Sequence, residues 1–298
     1  MVKITFVRKH VGVFYVLPAI LVVAGIMFFP LFYTLVLSFF RKSVFTQNMT
    51  FVGLDQYIKL FSDPIFFKAT RNTTLWTIGS VLFQTIIGFS LAFIVHQLKR
   101  KLQSFVRILL VVPWVIPGIA SVLVWQWCYH TDYGIINEFF KQLGFIDTSI
   151  SWLGNTKTSL AACIVVNVWK MTPFVMLLIE AALQNVPAEL KEAARVDGAS
   201  RLKVFKVVTL PHLAPILKTT VLLLTIWTLN AFTYIYILTT GGPNYSSEIL
   251  SLYIYRKAFQ DFNYSYASAA SVALFLLTAI FSIIYIRFTL KGGNYEQE

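Results

Sequence analysis

Two apolar stretches carry polar and aromatic residues at the spacing of one helical face. In the first, positions i, i+3, i+4 and i+7 hold Asn167, Lys170, Met171 and Phe174. In the second, a similar stripe comprises Trp227, Asn230, Ala231 and Tyr234, with Thr228 beside it. Aromatic faces with interspersed amides suit noncovalent binding of sugar rings, through stacking and hydrogen bonds. Core packing remains the alternative interpretation of the aromatic stripes alone.

Lys170 is a functional candidate within the first stripe. An ionisable side chain inside an apolar span is costly and usually faces a cavity or a partner group. The sequence leaves two interpretations open. Lys170 either contacts a solute, or it is a structural lysine that snorkels outward or pairs with a polar neighbour.

Residues for covalent or metal chemistry are not grouped in this sequence. The four histidines lie at the ends of apolar stretches: His10, His96, His130 and His212. Cys128 and Cys163 lack the spacing of metal ligands. No Gly-x-x-x-x-Gly-Lys-Ser/Thr sequence for nucleotide phosphates is present. We therefore expect no catalytic residue, no metal site and no cofactor bound by this chain.

The composition is that of a polytopic membrane protein. Of the 298 residues, 57% are hydrophobic and 13% are charged, whereas soluble domains have roughly 25% charged residues. Six stretches are long enough to cross a bilayer, and the need to pair backbone groups in lipid makes them helices. They cover about 11–40, 71–97, 105–128, 158–184, 211–238 and 263–288. The sequence predicts an all-α, six-span protein with one transmembrane domain over 1–298.

The basic residues lie beside the spans, where they set topology rather than indicate nucleic-acid binding, despite a net charge of +12. The short connection at 99–107 contains four of them and is the clearest indicator of the cytoplasmic side. Arg41 and Lys42 oppose this orientation. We expect both termini in the cytoplasm, which makes 185–210 a cytoplasmic loop.

That loop has the pattern of a helix, a glycine turn and a second helix. Good helix formers fill 189–196, and Gly198 permits a turn that residues with a Cβ resist. Ser200 can cap a second helix over 201–208, and Pro211 suits the first turn of the next span. Phe205 offers an aromatic side chain of the kind that anchors interfaces.

The same loop resembles the "EAA" loop of the permease subunits of binding-protein-dependent ABC importers. That pattern is Glu-Ala-Ala, three residues, Gly, nine residues, Ile, one residue and Leu-Pro. Here Val208 replaces Ile and the other fixed positions match. The resemblance assigns coupling to an ATPase to Glu192, Ala193, Ala194, Asp197, Gly198, Ala199, Phe205, Leu210 and Pro211.

The resemblance extends along nearly the whole chain. The segments 51–57, 167–174, 183–187 and 240–243 look like those of MalF-type carbohydrate permeases. Positions matching sugar contacts in the maltose permease are Asn167, Met171, Phe174, Trp227, Thr228 and Ala231. Met171 and Ala231 differ from the residues of the maltose protein, which leaves the sugar open.

The resemblance implies a type I ABC importer permease in the cytoplasmic (inner) membrane of a bacterium. The implied partners are a second, MalG-type permease, two ATP-binding cassette ATPase subunits, an extracytoplasmic solute-binding protein, carbohydrate and membrane lipid. ATP and Mg²⁺ would bind to the ATPase subunits.

Two alternatives remain. The first is an ABC permease for another polar solute, such as a polyamine; the Trp169-Lys170-x-x-Pro173-Phe174 sequence favours sugar. The second is a secondary transporter or a membrane-embedded enzyme. A coupled transporter would be expected to show buried acids or an internal repeat, and the spans contain only Glu180.

Overall fold

The computed structural model describes residues 2–42 and 48–291. They divide into two compact units, Met1–Asp63 with Ile254–Leu276, and Pro64–Tyr253 with Leu277–Glu298. The predicted single domain over 1–298 therefore stays a prediction. Among the described residues, five helices are long and apolar enough to cross a membrane, or six when one sharply bent pair counts as a span. Six predicted spans agree with this result, and the sidedness of the loops stays a prediction.

The first unit begins with a long helix and a short hairpin. Helix α1 (Val2–Leu37) precedes strands β1 (Phe40–Lys42) and β2 (Met49–Phe51), which pair antiparallel with Phe40 opposite Phe51. The predicted first span, 11–40, therefore ends three residues too late, because its last residue already belongs to β1. From Tyr15 onward most α1 side chains are exposed and apolar, as expected of a lipid-facing helix.

Helix α2 (Asp55–Leu60) is a short element that follows the hairpin. The carboxylate of Asp55 accepts hydrogen bonds from Lys59 and Arg41, each at 2.8 Å. These bonds, first from Lys59 and then from Arg41, lower the pKa of Asp55 below its usual value. The exposed Arg41–Asp55 ion pair thus joins the hairpin to α2, whereas the Lys59–Asp55 pair lies within α2.

The second unit contains most of the helices. Their bounds are α3 (Pro64–His96), α4 (Arg100–Val115), α5 (Gly118–Cys128), α6 (Ile135–Gln142), α7 (Ser159–Gln184), α8 (Ala188–Val196), α9 (Arg201–Val204), α10 (Leu210–Leu229) and α11 (Thr233–Thr239). A π-helical turn, Phe205–Thr209, joins α9 to α10. Helix α12 (Leu250–Tyr255) continues into a second π-helical turn, Arg256–Gln260, and α13 (Tyr264–Lys291) follows after a short break; residues 254–276 of this part belong to the first unit.

Helices α3 and α7 form the core of this unit. A glycine allows their close approach, because a Cβ on Gly88 would lie 2.6 Å from the Cβ of Val175. Val175, Met176 and Ile179 are fully buried around this contact. Small residues play this role in membrane proteins, where packing rather than water exclusion holds helices together.

The predicted third span, 105–128, is wrong as one continuous helix. It consists of α4 and α5, bent by 95° at a short break. Ile116 adopts an extended conformation with ψ 136° before Pro117, since a proline disfavours the helical region in the residue that precedes it. Pro117 also lacks the N–H that would continue the helix.

The predicted fifth span, 211–238, is also wrong as one helix. Helix α10 ends at Leu229 and α11 begins only at Thr233. At this break, the side-chain amide of Asn230 donates to the carbonyl of Ile226 at 2.8 Å. At its other end the helix extends further than predicted, since Arg201–Leu229 runs as one helical segment of 29 residues.

Glu180, to which the sequence assigned no role, binds to side chains of α4. Its carboxylate accepts hydrogen bonds from Gln103 at 2.8 Å and from two nitrogens of Arg107. Glu180 is 2% exposed, so its charge requires this pairing. The interaction joins the end of α7 to α4.

Substituting Gly88 tests the packing of α3 against α7. Gly88→Ala should lower the free energy of unfolding by up to roughly 2 kcal/mol, because an overpacking cost of about 1–3 kcal/mol outweighs the helix-propensity gain of about 1 kcal/mol. Thermal unfolding in detergent measures this change. Gly25→Ala is the matched control, since nothing lies within 4 Å of its added Cβ. Equal melting temperatures of the two variants would contradict the contact.

Candidate solute path and coupling surface

A cavity of about 540 Å³ lies where both broken spans meet α7. This volume is within the roughly 300–1,000 Å³ of small-molecule sites. Its wall combines aromatic, amide and hydroxyl side chains with apolar ones. The lining residues are Gly118, Ile119, Asn167, Met171, Leu224, Trp227, Thr228, Asn230, Ala231, Phe232, Thr233 and Tyr234.

The cavity brings together seven of the nine residues predicted for the solute path. These are Asn167, Met171, Trp227, Thr228, Asn230, Ala231 and Tyr234. The stripe of the fifth span was predicted on a continuous helix, whereas the break after Leu229 places its members on two helices and their connection. Five lining residues were not predicted from the sequence. Among these, only Gly118 stands in a local pattern that could have indicated a break, because it follows a proline.

Hydrogen bonds from neighbouring helices hold the break in the fifth span. The indole N–H of Trp76 donates to the carbonyl of Thr228 at 3.0 Å, and the hydroxyl of Ser251 donates to the carbonyl of Ala231. The Thr228 carbonyl lies in the last turn of α10, where it also accepts from the backbone N–H of Ala231 at 3.1 Å, and the Ala231 carbonyl lies in the connection to α11. The donors therefore fix the backbone from which the cavity side chains project.

Asn167 contributes part of the cavity wall. Its backbone carbonyl accepts from the Gln84 side-chain amide at 3.2 Å, which fixes this part of α7. Its own side-chain nitrogen is buried and, among the described residues, has no hydrogen-bond partner. A buried unpaired amide is costly, and the nitrogen becomes a donor to a bound solute or a water only when the side chain turns it toward the cavity.

Phe174 and Lys170 do not line the cavity. The ring of Phe174 lies behind its wall, 5.2 Å from that of Trp227 and 5.8 Å from that of Trp114. The Lys170 ammonium donates to backbone carbonyls at the α4–α5 break, at 2.8 Å to Pro113 and 3.1 Å to Trp114, and also to Ile116. Lys170 therefore pairs with backbone carbonyls. Of the two interpretations, a solute contact and a structural lysine, its contacts match the structural lysine.

The loop at 185–210 folds as the predicted helical hairpin. Helix α8 ends before Gly198, which has φ +78° in the left-handed region that favours glycine. The Ser200 side chain then caps α9 by accepting from the backbone N–H of Lys203 at 3.4 Å. The second helix does not end at 208 as expected, since it continues through the π-helical turn into α10.

The hairpin has a small apolar interior and an exposed face, and we call residues 185–211 the coupling hairpin, after the role that the sequence predicts for them. Its interior packs Ala194 and Ala199 against Val186, Val204 and Val208. Exposed positions include Glu192, Ala193, Asp197, Gly198, Leu210 and Pro211. Val196 is 88% exposed and Leu202 63% exposed, so this face offers apolar contact area that the sequence did not single out.

Phe205 does not lie on the exposed face of the hairpin. Its ring packs edge-on against Phe93 at 5.4 Å and Phe89 at 6.3 Å, both on α3. We expected Phe205 to anchor a partner chain, but its ring packs against helix α3 of the same chain instead. Phe205 instead joins the hairpin to the core of its own unit.

Comparison with known proteins gives this chain a family. It matches the family described as "Binding-protein-dependent transport system inner membrane component" over residues 84–290. It is 35% identical to the trehalose/maltose transport system permease protein MalF of Thermococcus litoralis, covering 99% of this chain and 98% of the relative. It is 33% identical to the sulfoquinovosyl glycerol transport system permease protein SmoG of Agrobacterium fabrum, covering 91% and 87%.

The fold also matches solved structures. One is a crystal structure of a bacterial ABC transporter that imports the acidic polysaccharide alginate, with a TM-score of 0.83 and 20% identity over 98% of this chain and 99% of that one. A second crystal structure of the alginate transporter, in complex with a pentasaccharide-bound periplasmic protein, gives a TM-score of 0.79, with 22% identity over 96% and 94%. The chain is a multi-pass membrane protein and belongs to the family of binding-protein-dependent transport system inner membrane components.

Proposed function

We propose that this chain is the transmembrane permease subunit of an ATP-driven carbohydrate importer. It forms part of the solute path and transmits movement from an ATPase through the coupling hairpin. The observation that carries the proposal is the cavity at the two broken spans, lined by aromatic rings and amides in a chain of a binding-protein-dependent transport family.

The cavity chemistry favours a sugar over other polar solutes. The Trp227 ring and the Tyr234 ring provide flat apolar surface, and the amides of Asn167 and Asn230 provide donors and acceptors. No Asp or Glu lies among the lining residues, which disfavours a cationic solute such as a polyamine. Two relatives have names that state a cargo, trehalose and maltose for one and sulfoquinovosyl glycerol for the other, which supports the same class.

The coupling hairpin suits docking into a second chain. It is exposed, carries exposed apolar side chains at Val196 and Leu202, and has its own small apolar core. Helix α9 continues into α10, so a displacement at Arg201 is transmitted along one helical segment to Leu229, beside the cavity. A segment of this length is about 43 Å at 1.5 Å per residue.

The proposed assembly contains several further chains. ATP is hydrolysed on two ATP-binding cassette subunits, each docked on one coupling hairpin. A MalG-type permease completes the path from the other side, and a solute-binding protein delivers the carbohydrate. This chain does no covalent chemistry, and the described residues contain no cluster of His, Cys, Asp or Glu suited to a metal ion.

Trp227→Ala tests the solute path. Uptake of radiolabelled maltose, trehalose and longer glucose oligosaccharides is measured in cells that carry the complete transport system. The substitution should reduce uptake of the transported saccharide about tenfold or more, because it removes the stacking surface. Trp127→Ala is the matched control, since Trp127 is 72% exposed and outside the cavity. Equal uptake by the two variants would argue against the assignment of the cavity.

Gly198→Val tests the coupling hairpin. A β-branched residue at φ +78° strains the turn, whereas Gly198→Asn introduces a side chain that tolerates this conformation. Nothing lies within 4 Å of an added Cβ, so the difference reports the backbone and not a clash. Valine should abolish co-purification of the ATPase and reduce uptake about tenfold or more, while asparagine retains most of both. Full association and uptake in the valine variant would contradict the coupling role.

A further inference from the structure

The bend between α4 and α5 leaves backbone carbonyls without helical donors. In a continuous helix the N–H of residue i+4 donates to the carbonyl of residue i. Pro117 has no N–H for the carbonyl of Pro113. The extended conformation of Ile116 also turns the chain away before Gly118 can donate to Trp114. Unpaired carbonyls within an apolar span are costly, so a bend at this place requires another donor.

Lys170 supplies the missing donors from a different helix. Its ammonium group lies 2.8 Å from the carbonyl of Pro113, 3.1 Å from that of Trp114 and within hydrogen-bond distance of that of Ile116. An ammonium has three N–H donors and therefore matches the three acceptors. Lys170 is 5% exposed and, within the described residues, forms no ion pair. Its charge is instead compensated by the negative C-terminal end of α4.

The bend that Lys170 holds forms part of the cavity wall. Gly118 and Ile119, the first residues of α5, line the cavity directly. On the other side of the bend, the ring of Trp114 packs on Phe174, which in turn packs on the cavity residue Trp227. The position of α5 relative to α7 therefore determines the shape of the path without any contact between Lys170 and the solute.

We infer that Lys170 is a positioning residue that holds the α4–α5 span bent and thereby shapes the solute cavity. The bend has two causes that can be separated. Pro117 removes the N–H that a straight helix would use, and Lys170 stabilises the carbonyls that the bend releases. If the inference is correct, the lysine maintains the bend even when the proline is replaced.

A distance measurement across the bend tests this inference. Spin labels are placed on the exposed positions Leu102 of α4 and Val124 of α5, after Cys128 and Cys163 are replaced by serine. At 1.5 Å per residue, a straight helix would separate the two backbones by about 33 Å. The observed 95° bend, with arms of about 21 Å and about 11 Å, gives about 23 Å. Pulsed electron paramagnetic resonance resolves this difference in the full chain purified with its co-expressed partner subunits.

The unsubstituted protein and three variants form a cycle in this experiment, and two further variants are compared with it. Pro117→Ala should keep the short distance, because Lys170 still pairs with the carbonyls. Lys170→Met should broaden the distribution, and Lys170→Met with Pro117→Ala should move it to the long distance, since replacing the proline restores the helical N–H. Lys170→Arg should keep the short distance, because a guanidinium also donates several hydrogen bonds. Lys218→Met, at a second lysine within an apolar span, is the matched control and should change nothing.

Three results would overturn the inference. The first is a distribution in Lys170→Met identical to that of the unsubstituted lysine. The second is a double variant that keeps the short distance. The third is a long distance in Pro117→Ala, where Lys170 is still present. The measurement requires no bound solute, so it remains decisive if the proposed sugar cargo is wrong. In uptake assays with maltose, trehalose and longer glucose oligosaccharides, Lys170→Met should raise the KM about tenfold, while Lys170→Arg keeps a value close to that of Lys170.

Discussion

The need to pair every backbone polar group inside an apolar span is the constraint on which this structure depends. A continuous helix satisfies it alone, but a broken helix requires donors from elsewhere in the fold. Such donors are present at the two breaks described above, between α4 and α5 and between α10 and α11. Lys170 donates at the end of α4, and Trp76 and Ser251 donate around the end of α10. The solute cavity lies where these two breaks meet α7.

The hydropathy pattern predicts the number and approximate place of the spans, because the preference of a segment for lipid over water depends mainly on the residues of that segment. It does not predict the breaks. Prolines occur inside helices at Pro18, Pro30, Pro113, Pro173 and Pro215 without ending them, whereas Pro117 follows a sharp bend. The difference lies in the group that donates hydrogen bonds to the carbonyls released at the bend. That group is the Lys170 ammonium, which is more than 50 residues away in the sequence. The break at Asn230 has no proline at all.

The distinction between local sequence patterns and contacts between distant segments also explains which site residues were predicted. Helical spacing and the family resemblance identified most cavity residues, because Asn167 and Met171 share a face of α7 whatever its surroundings. Lys170 and Phe174 share a similar spacing but belong to the support of the cavity wall. In the coupling hairpin, the glycine turn and the cap at Ser200 are local and were predicted. The packing of Phe205 on Phe89 and Phe93 is tertiary and was not.

The central claim is that the cavity at the two breaks holds the transported carbohydrate. Its most direct test is protection of a single cysteine, introduced in place of Ala231, from a membrane-impermeant thiol reagent in an assembled transporter whose native cysteines are replaced by serine. The control position is Thr156 in the loop before α7, which is exposed and outside the cavity. The account predicts that a saturating concentration of the saccharide imported in uptake assays slows labelling at 231 about tenfold and leaves labelling at 156 unchanged. Equal labelling rates at 231 with and without that saccharide would contradict it.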